Sequence, residues 1–424
     1  MDELFSKLKR PFDGTWDAVE SDMAVFERIM SRLPVKCVLM SKSVSKLWYD
    51  VMSTKYFIIL HRYWSSKNTK FFVLYDAGDL EEIKVCEMRL MEPNGTFIEK
   101  YTIPGFETLP NLLMIASFNG LICCVNDVKI WQGSYEVDIR ICNPATREVL
   151  VLPRSHLSID IPTFGVLYSN RYHIYKIYKF FSEPIDLETG YTQCEVYSSK
   201  TGEWKQLARV PWLLLTYPSL SLVSNHVCIN EKLYWFISDD YEDEIDFPTA
   251  ILMVDMDDNF RVIPLPNYAE ISFLIEFRGR LCFVDWTGLK FHLWLYDEKN
   301  DGWYLLDILH FPVKWLEVAH FDSVVAHKHD ILFVYKDVAD LRHEILYDVS
   351  HGTWKDFRIA EDCKEKAIVV VPFFETLLPC KLEEGRLAWY MQLGFGLGWM
   401  RVLLAFEWCG FSNCVNSVSV VSSV

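Results

Sequence analysis

Two hydrophobic periods divide the chain. Met23, Phe26, Ile29, Met30 and Leu33 recur three and four apart, with Glu27, Arg28 and Arg32 on other faces, which predicts a helix. Ser21 and Asp22 suit its start, offering a capping oxygen and an acid at the positive end of the dipole. Pro34 lacks a backbone donor and restricts Leu33, so the helix stops there. Val35, Val38 and Leu39 predict a short second turn of helix. Val44, Leu47, Trp48 and Val51 predict a third. Three short helices in about 40 residues bury little area, and only one stripe of each can face inward. Several apolar residues are therefore left for another surface to cover.

Beyond Lys67 the period changes. Runs such as "KFFVLYD", "GLICCVN", "HIYKIYKF", "KLYWFIS", "ILMVDM", "RLCFVDW" and "DILFVYKD" are rich in aromatic and β-branched residues. They are bounded by Gly, Asn, Asp and Pro, and read as strands separated by turns. A turn followed by an apolar strand recurs near Gly120, Lys232, Gly279 and Asp330. A second phrase follows each time: strand, polar turn, aromatic, strand. It appears as "IRICNPATREVLVLP", "CEVYSSKTGEWKQL", "ILMVDMDDNFRVIPLP", "LWLYDEKNDGWYLLD" and "EILYDVSHGTWKDF". The aromatic falls at Trp204, Phe260, Trp303 and Trp354, spaced 56, 43 and 51 residues apart. A small sheet cannot cover both of its faces alone, so copies must stack, with the aromatic between neighbours. A period near 50 with several strands per repeat points to a propeller of about six blades, the first poorly marked.

The expected architecture is thus α+β and multidomain: a small N-terminal all-α unit followed by a large all-β domain, a six-bladed β-propeller-like array. The expected boundaries are an extension over 1–19, the helical unit over 20–62, the β-domain over 63–380 and an atypical hydrophobic tail over 381–424.

Charge narrows the partners. The net charge is −16, from 58 acids and 42 bases; residues 1–60 are near neutral, with 9 bases and 8 acids. An acidic surface repels phosphate backbones, so nucleic acid is not an expected partner. The twelve cysteines are scattered with no C-x-x-C pair, and "MDELFSKLKRPFDG" holds no apolar run of signal-peptide length. Reduced thiols in the cytoplasm or nucleus are the expectation.

The run "IMSRLPVKCVLMSKSVSKLW", from Ile29 to Trp48, resembles the F-box of plant F-box proteins. The positions that carry the likeness are Ile29, Arg32, Leu33, Pro34, Val35, Lys36, Val44, Ser45, Lys46 and Trp48. "SFNGLICC", "ICNPATREVLVLP" and "VYSSKTGEWKQL" resemble the kelch-like F-box-associated region of the same family. Together the two cover roughly residues 20–380. One departure is "SDMA" at 21–24, where the family opens with Leu-Pro-x-Asp. The resemblance implies docking to a Skp-type adaptor, and through it to a cullin, with the β-domain recruiting a target protein for ubiquitination. It implies no catalysis by the chain itself and no cofactor. Phe26, Ile29, Leu33, Pro34, Val35, Val38, Leu39, Val44, Leu47 and Trp48 are the candidate adaptor-binding residues.

Other signals are weak. No phosphate loop, nucleophile elbow, H-E-x-x-H or zinc spacing is present. His320, His327 and His329 are the nearest metal candidates, but histidines at strand ends are ordinarily plain polar residues. The acidic run "DDYEDEID" at 239–246 lacks the EF-hand pattern and reads as a solvated loop. Trp131, Trp212, Trp286 and Trp315 read mainly as packing between sheets, and Lys200 and Lys205 as surface lysines. In the tail, Leu387 to Met400 carries no charge but is 14 residues, short of the roughly 20 that span a bilayer, so a membrane partner is not expected. Three rival readings remain: an F-box scaffold acting outside a ligase, a β-propeller enzyme with a helical cap, and membrane tethering through the tail.

Overall fold

The computed structural model describes residues 23–76, 86–92, 96–101, 113–131, 133–160, 162–171, 173–183, 192–214, 226–238, 248–268, 271–287, 290–312, 318–339, 342–356 and 366–381. Among the described residues four helices come first: α1 (Met23–Met30), α2 (Val35–Ser41), α3 (Lys46–Met52) and α4 (Lys55–Ser65). The three expected helices are there. The fourth was not anticipated: it buries Phe57 together with the polar His61 and leaves Tyr56 exposed, so its inward face is not the one its apolar spacing marks. The starts of α2, α3 and α4 have local causes. Pro34 precedes α2, Ser45 Oγ accepts the Trp48 N–H at 3.2 Å, and Thr54 Oγ1 accepts the Phe57 N–H at 3.2 Å.

The strands form six antiparallel sheets. Blade one holds β1 (Lys70–Asp76), β2 (Cys86–Met91) and β3 (Phe97–Tyr101). Blade two holds β4 (Leu113–Phe118), β5 (Leu121–Trp131), β6 (Ser134–Asn143) and β7 (Glu148–Val151). Blade three holds β8 (Thr163–Ser169), β9 (Ile174–Phe181), β10 (Gln193–Ser198) and β11 (Glu203–Gln206). Blade four begins with the two-residue β12 (Leu213–Leu214), then β13 (His226–Ile229), β14 (Lys232–Ser238), β15 (Ala250–Asp255) and β16 (Phe260–Pro264). Blade five holds β17 (Ile271–Phe277), β18 (Arg280–Thr287), β19 (Lys290–Asp297) and β20 (Gly302–His310). Blade six holds β21 (Val318–His327), β22 (Asp330–Asp337), β23 (Arg342–Asp348) and β24 (Thr353–Asp356). The last strand, β25 (Lys366–Phe373), returns to blade one and pairs with β1, from Lys70↔Phe373 to Asp76↔Lys366. The first and last described strands thereby close the ring.

Period two explains the near-continuous apolar runs. On β1, Phe71 and Val73 pack toward Leu332, Val334 and Leu346 of blade six. The intervening Phe72 packs toward Ile122, Cys124 and Cys142 of blade two. A strand buried on both faces needs apolar residues at every position. One such core fills each gap between neighbouring blades. The recurring aromatics lie in these gaps. Phe260 packs near Tyr178 and Phe180 of the preceding blade, and Trp354 meets Phe311 at 5.5 Å. The indoles of Trp204 and Trp303 donate to the carbonyls of Pro153 and Pro264, both at 2.9 Å, which ties each outer strand to the blade before it.

Candidate protein-docking site

The helical unit has its own small core: Phe26, Met30, Val35, Val38, Trp48, Val51, Met52 and Phe57 are buried together. Phe26 and Trp48 meet edge to face at 5.1 Å. His61 is fully buried; its Nε2 donates to the Leu33 carbonyl at 2.9 Å and its Nδ1 accepts from Ser65 Oγ at 3.3 Å. That bond fixes the α1–α2 corner on α4. Burial holds the His61 pKa below the usual histidine range, against a smaller opposing effect of the Leu33 carbonyl.

The ten candidate residues divide into two groups. Phe26, Val35, Val38 and Trp48 face inward and hold the helices together. Ile29, Pro34, Leu39, Val44 and Leu47 are exposed, Val44 to 63%, and Leu33 is half-buried at the edge of the core. Met23, Val25, Met40, Tyr49 and Tyr56 are also exposed and extend the apolar surface. A small unit with this much uncovered apolar side chain has the composition of a docking face.

The opposite side of the unit is seated on the propeller. Ala145, in the β6–β7 turn, and Leu377, beyond β25, join the helical core. Ile58 of α4 packs both there and in the core between blades two and three. Arg62 Nη1 donates to Asn119 Oδ1 at 2.8 Å and to Asn170 Oδ1 at 2.5 Å, reaching the β4–β5 and β8–β9 turns. In the same seat His173 has φ +55° and a pKa pushed down to about 4, by burial first and then by the Arg62 and Lys55 charges. The Asn119–Gly120 turn has positive φ at both residues, and a Cβ on Gly120 would stand 2.4 Å from the Phe374 carbonyl.

None of Arg62, Asn119, Asn143 or Leu377 was anticipated as part of a site. The signal was present in "SFNGL" and "CNPAT", where asparagine reads as a turn residue; the second role of Asn119 depends on Arg62, 57 residues away, and that of Asn143 on the Thr376 and Leu378 carbonyls, 233 and 235 residues away.

With this geometry established, comparison with known proteins decides the family. Residues 71–376 match the F-box associated beta propeller domain. The chain belongs to that family. Two Arabidopsis thaliana relatives are F-box protein At5g49610, 26% identical with 67% of this chain and 77% of the relative covered, and F-box protein At5g10340, 23% identical with 76% and 75% covered. A third, Putative F-box only protein 15 of the same plant, is 24% identical, and the chain spans about half of its length, 51%. Among solved structures, the β-propeller domain of the Trilobed protease from Pyrococcus furiosus overlays 75% of this chain at TM-score 0.38 and 11% identity. The chain is accordingly a plant-type F-box protein with an associated propeller, and its helical unit lies ahead of the matched residues.

The remaining candidates sort as follows. His327 Nε2 donates to the Thr69 carbonyl at 2.9 Å, and the ring lies against Phe71. His329 is exposed in the β21–β22 turn, and the side chain of His320 lies outside the described residues. No group of three possible metal ligands exists among the described residues. Residues 239–246 join β14 to β15 and lie outside the described residues, as does the tail beyond Lys381. Trp212 and Trp286 pack in the gaps between blades, while the side chains of Trp131 and Trp315 lie outside the description. Lys200 and Lys205 are exposed. Two buried polar clusters satisfy themselves. Lys179 pairs with Glu195 and donates to Ser155 and the His156 carbonyl. Asp285 accepts from Trp294, His292 and Thr287.

Proposed function

We propose that the chain is the substrate-recognition subunit of a Skp–cullin–F-box ubiquitin ligase. Its F-box binds a Skp-type adaptor and so reaches the cullin, while the propeller holds a target protein. The chain then performs no bond chemistry. It raises the effective concentration of target lysines beside the ubiquitin-carrying enzyme. The observation that carries this reading is the exposed row Ile29, Leu39, Val44 and Leu47 on an F-box whose inner residues are already packed. Exposed apolar surface on so small a unit is stabilised by a partner, and the family supplies the kind of partner. Ligases of this kind work in the cytoplasm or nucleus, the compartment we assign.

Co-expression with a plant Skp-type adaptor, followed by co-purification and size-exclusion chromatography, tests the reading. A one-to-one complex that also recruits a cullin supports it. Adaptor binding without cullin recruitment would point to a scaffold outside a ligase. No complex from folded protein would mean that "SDMA" at 21–24 has disabled docking.

A further inference from the structure

We infer that residues 374–380 are a latch that fixes the angle of the F-box on the propeller, so that closing the ring and placing the F-box are a single event. The function of the latch rests on the ligase reading above; its mechanical part does not. The segment follows β25, the strand that closes blade one, and β25 pairs with β1 just after α4 ends. The first and last described strands therefore meet at the joint. Within the latch, Leu377 enters the core of the F-box, while Leu378 and Cys380 enter the core between blades two and three. Neighbouring residues of one extended strip thus fill two cores.

Polar contacts hold the strip in register. The Asn143 amide donates to the carbonyls of Thr376 at 3.0 Å and Leu378 at 2.8 Å, and its own oxygen accepts the Ala145 and Thr146 N–H groups. Tyr175 donates to the Cys380 carbonyl at 2.8 Å, and Tyr101 to Glu375 at 2.9 Å. Thr376 is fully buried, and Gly120 leaves room for the strip to pass. Arg62 is a second anchor, on Asn119 and Asn170. The short link between α4 and β1 cannot by itself set an angle, since units joined by a hinge move unless an apolar interface holds them. The latch supplies part of that interface, beside Ile58 and Ala145. Asn143 is thus a positioning residue: it keeps the adaptor-facing surface at a constant distance from whatever the propeller holds.

The test measures distance in the full chain alone. Nitroxide labels are introduced as non-canonical amino acids at Asp50 of the F-box and Lys299 of the β19–β20 turn, both exposed. Double electron–electron resonance should give one narrow distance in the parent. Asn143→Ala and Leu377→Asp should broaden that distribution by about two-fold or more, as expected when a domain interface is lost. Hydrogen exchange of the blade strands should stay as in the parent, which a general loss of folding would not allow. Asn143→Ala keeps every apolar contact, so it decides the matter if Leu377→Asp unfolds the helices. A distribution as narrow as the parent's in the folded Asn143→Ala chain would overturn the latch. Because no adaptor is present, failure to bind one would count against the ligase reading alone.

Discussion

Gly165 of β8 lies flat against the indole of Trp235 of β14: a Cβ at this position would stand 2.3 Å from ring carbon Cζ2. The Trp235 Nε1 group donates to the neighbouring Phe164 carbonyl at 3.3 Å, so the ring is held where it is. Gly165→Ala must therefore push blades three and four apart. Overpacking of this kind costs about 1–3 kcal/mol. Urea unfolding should show that loss. Trp235→Phe in the same chain should recover part of it, because the removed atoms are those the new methyl would strike, and the two changes should be non-additive. Equal, additive losses would contradict the contact.

This contact also shows what local pattern can and cannot reveal. "KLYWFIS" is visible as a strand, because apolar runs and turn residues act over a few positions, whereas "TFGVLYS", interrupted by Gly165, is not among the runs read as strands. That Gly165 is small on account of Trp235, 70 residues later, is not visible. The same limit applies at the joint. The repeat announces six blades, yet β25 belongs to the first of them, and only the folded ring brings Phe373 beside Lys70. In the F-box, spacing of three and four places Phe26 and Met30 on one stripe correctly. It cannot separate Trp48, which fills the core, from Leu47, which does not, until α4 is known to cover one side. α4 itself escaped notice because its apolar residues meet the F-box core, the propeller and solvent at once.

The pair Lys179–Glu195 is the next test. Both side chains are fully buried, with Nζ 3.2 Å from Oε1, and His156 Nδ1 lies 2.7 Å from the other carboxylate oxygen. Glu195→Gln leaves a buried ammonium without its counter-charge, and breaking such a pair costs about 3–5 kcal/mol. Removing both charges, as in Lys179→Met with Glu195→Gln, should recover much of the loss. Burial already lowers the Lys179 pKa in the parent, against the opposing pull of Glu195. The unfolded chain therefore binds more protons in the alkaline window just below 10.5, and stability rises with pH there. The rise should be steeper in Glu195→Gln. Denaturant midpoints from pH 8 upward would expose an unchanged slope.

Acid should loosen the F-box and its seat. His61 and His173 both have folded pKa values below the ordinary 6.5, His173 at about 4. Each contributes stability that is fully present above 6.5 and is lost as the pH falls toward the folded value, because the unfolded chain takes up protons first. Lowering the pH from 7 to 4 should therefore weaken the helical unit. Protection of the α4 amides, measured against their intrinsic exchange rate at each pH, should fall over this range, and His173→Gln should reduce the pH dependence. Protection factors in α4 that stay constant with pH would show that neither ring is held neutral by its surroundings.

The division of the ten F-box candidates yields the sharpest mutational contrast. Val44→Glu and Leu47→Glu alter exposed side chains that carry no core packing, so their effect on unfolding should stay within about 0.5 kcal/mol. Adaptor affinity should nonetheless fall by ten-fold or more for each, the scale of a central apolar contact worth about 1.4 kcal/mol or above. Phe26→Ala and Trp48→Ala act the other way. They remove buried rings that meet at 5.1 Å and should cost about 3–5 kcal/mol, losing adaptor binding only because the helices melt. Pulldown with a Skp-type adaptor, read beside circular dichroism of each variant, separates the two mechanisms. If the glutamate variants bind as the parent does while staying folded, the exposed row is not the docking face, and the adaptor must be sought on Tyr49 and Tyr56 instead.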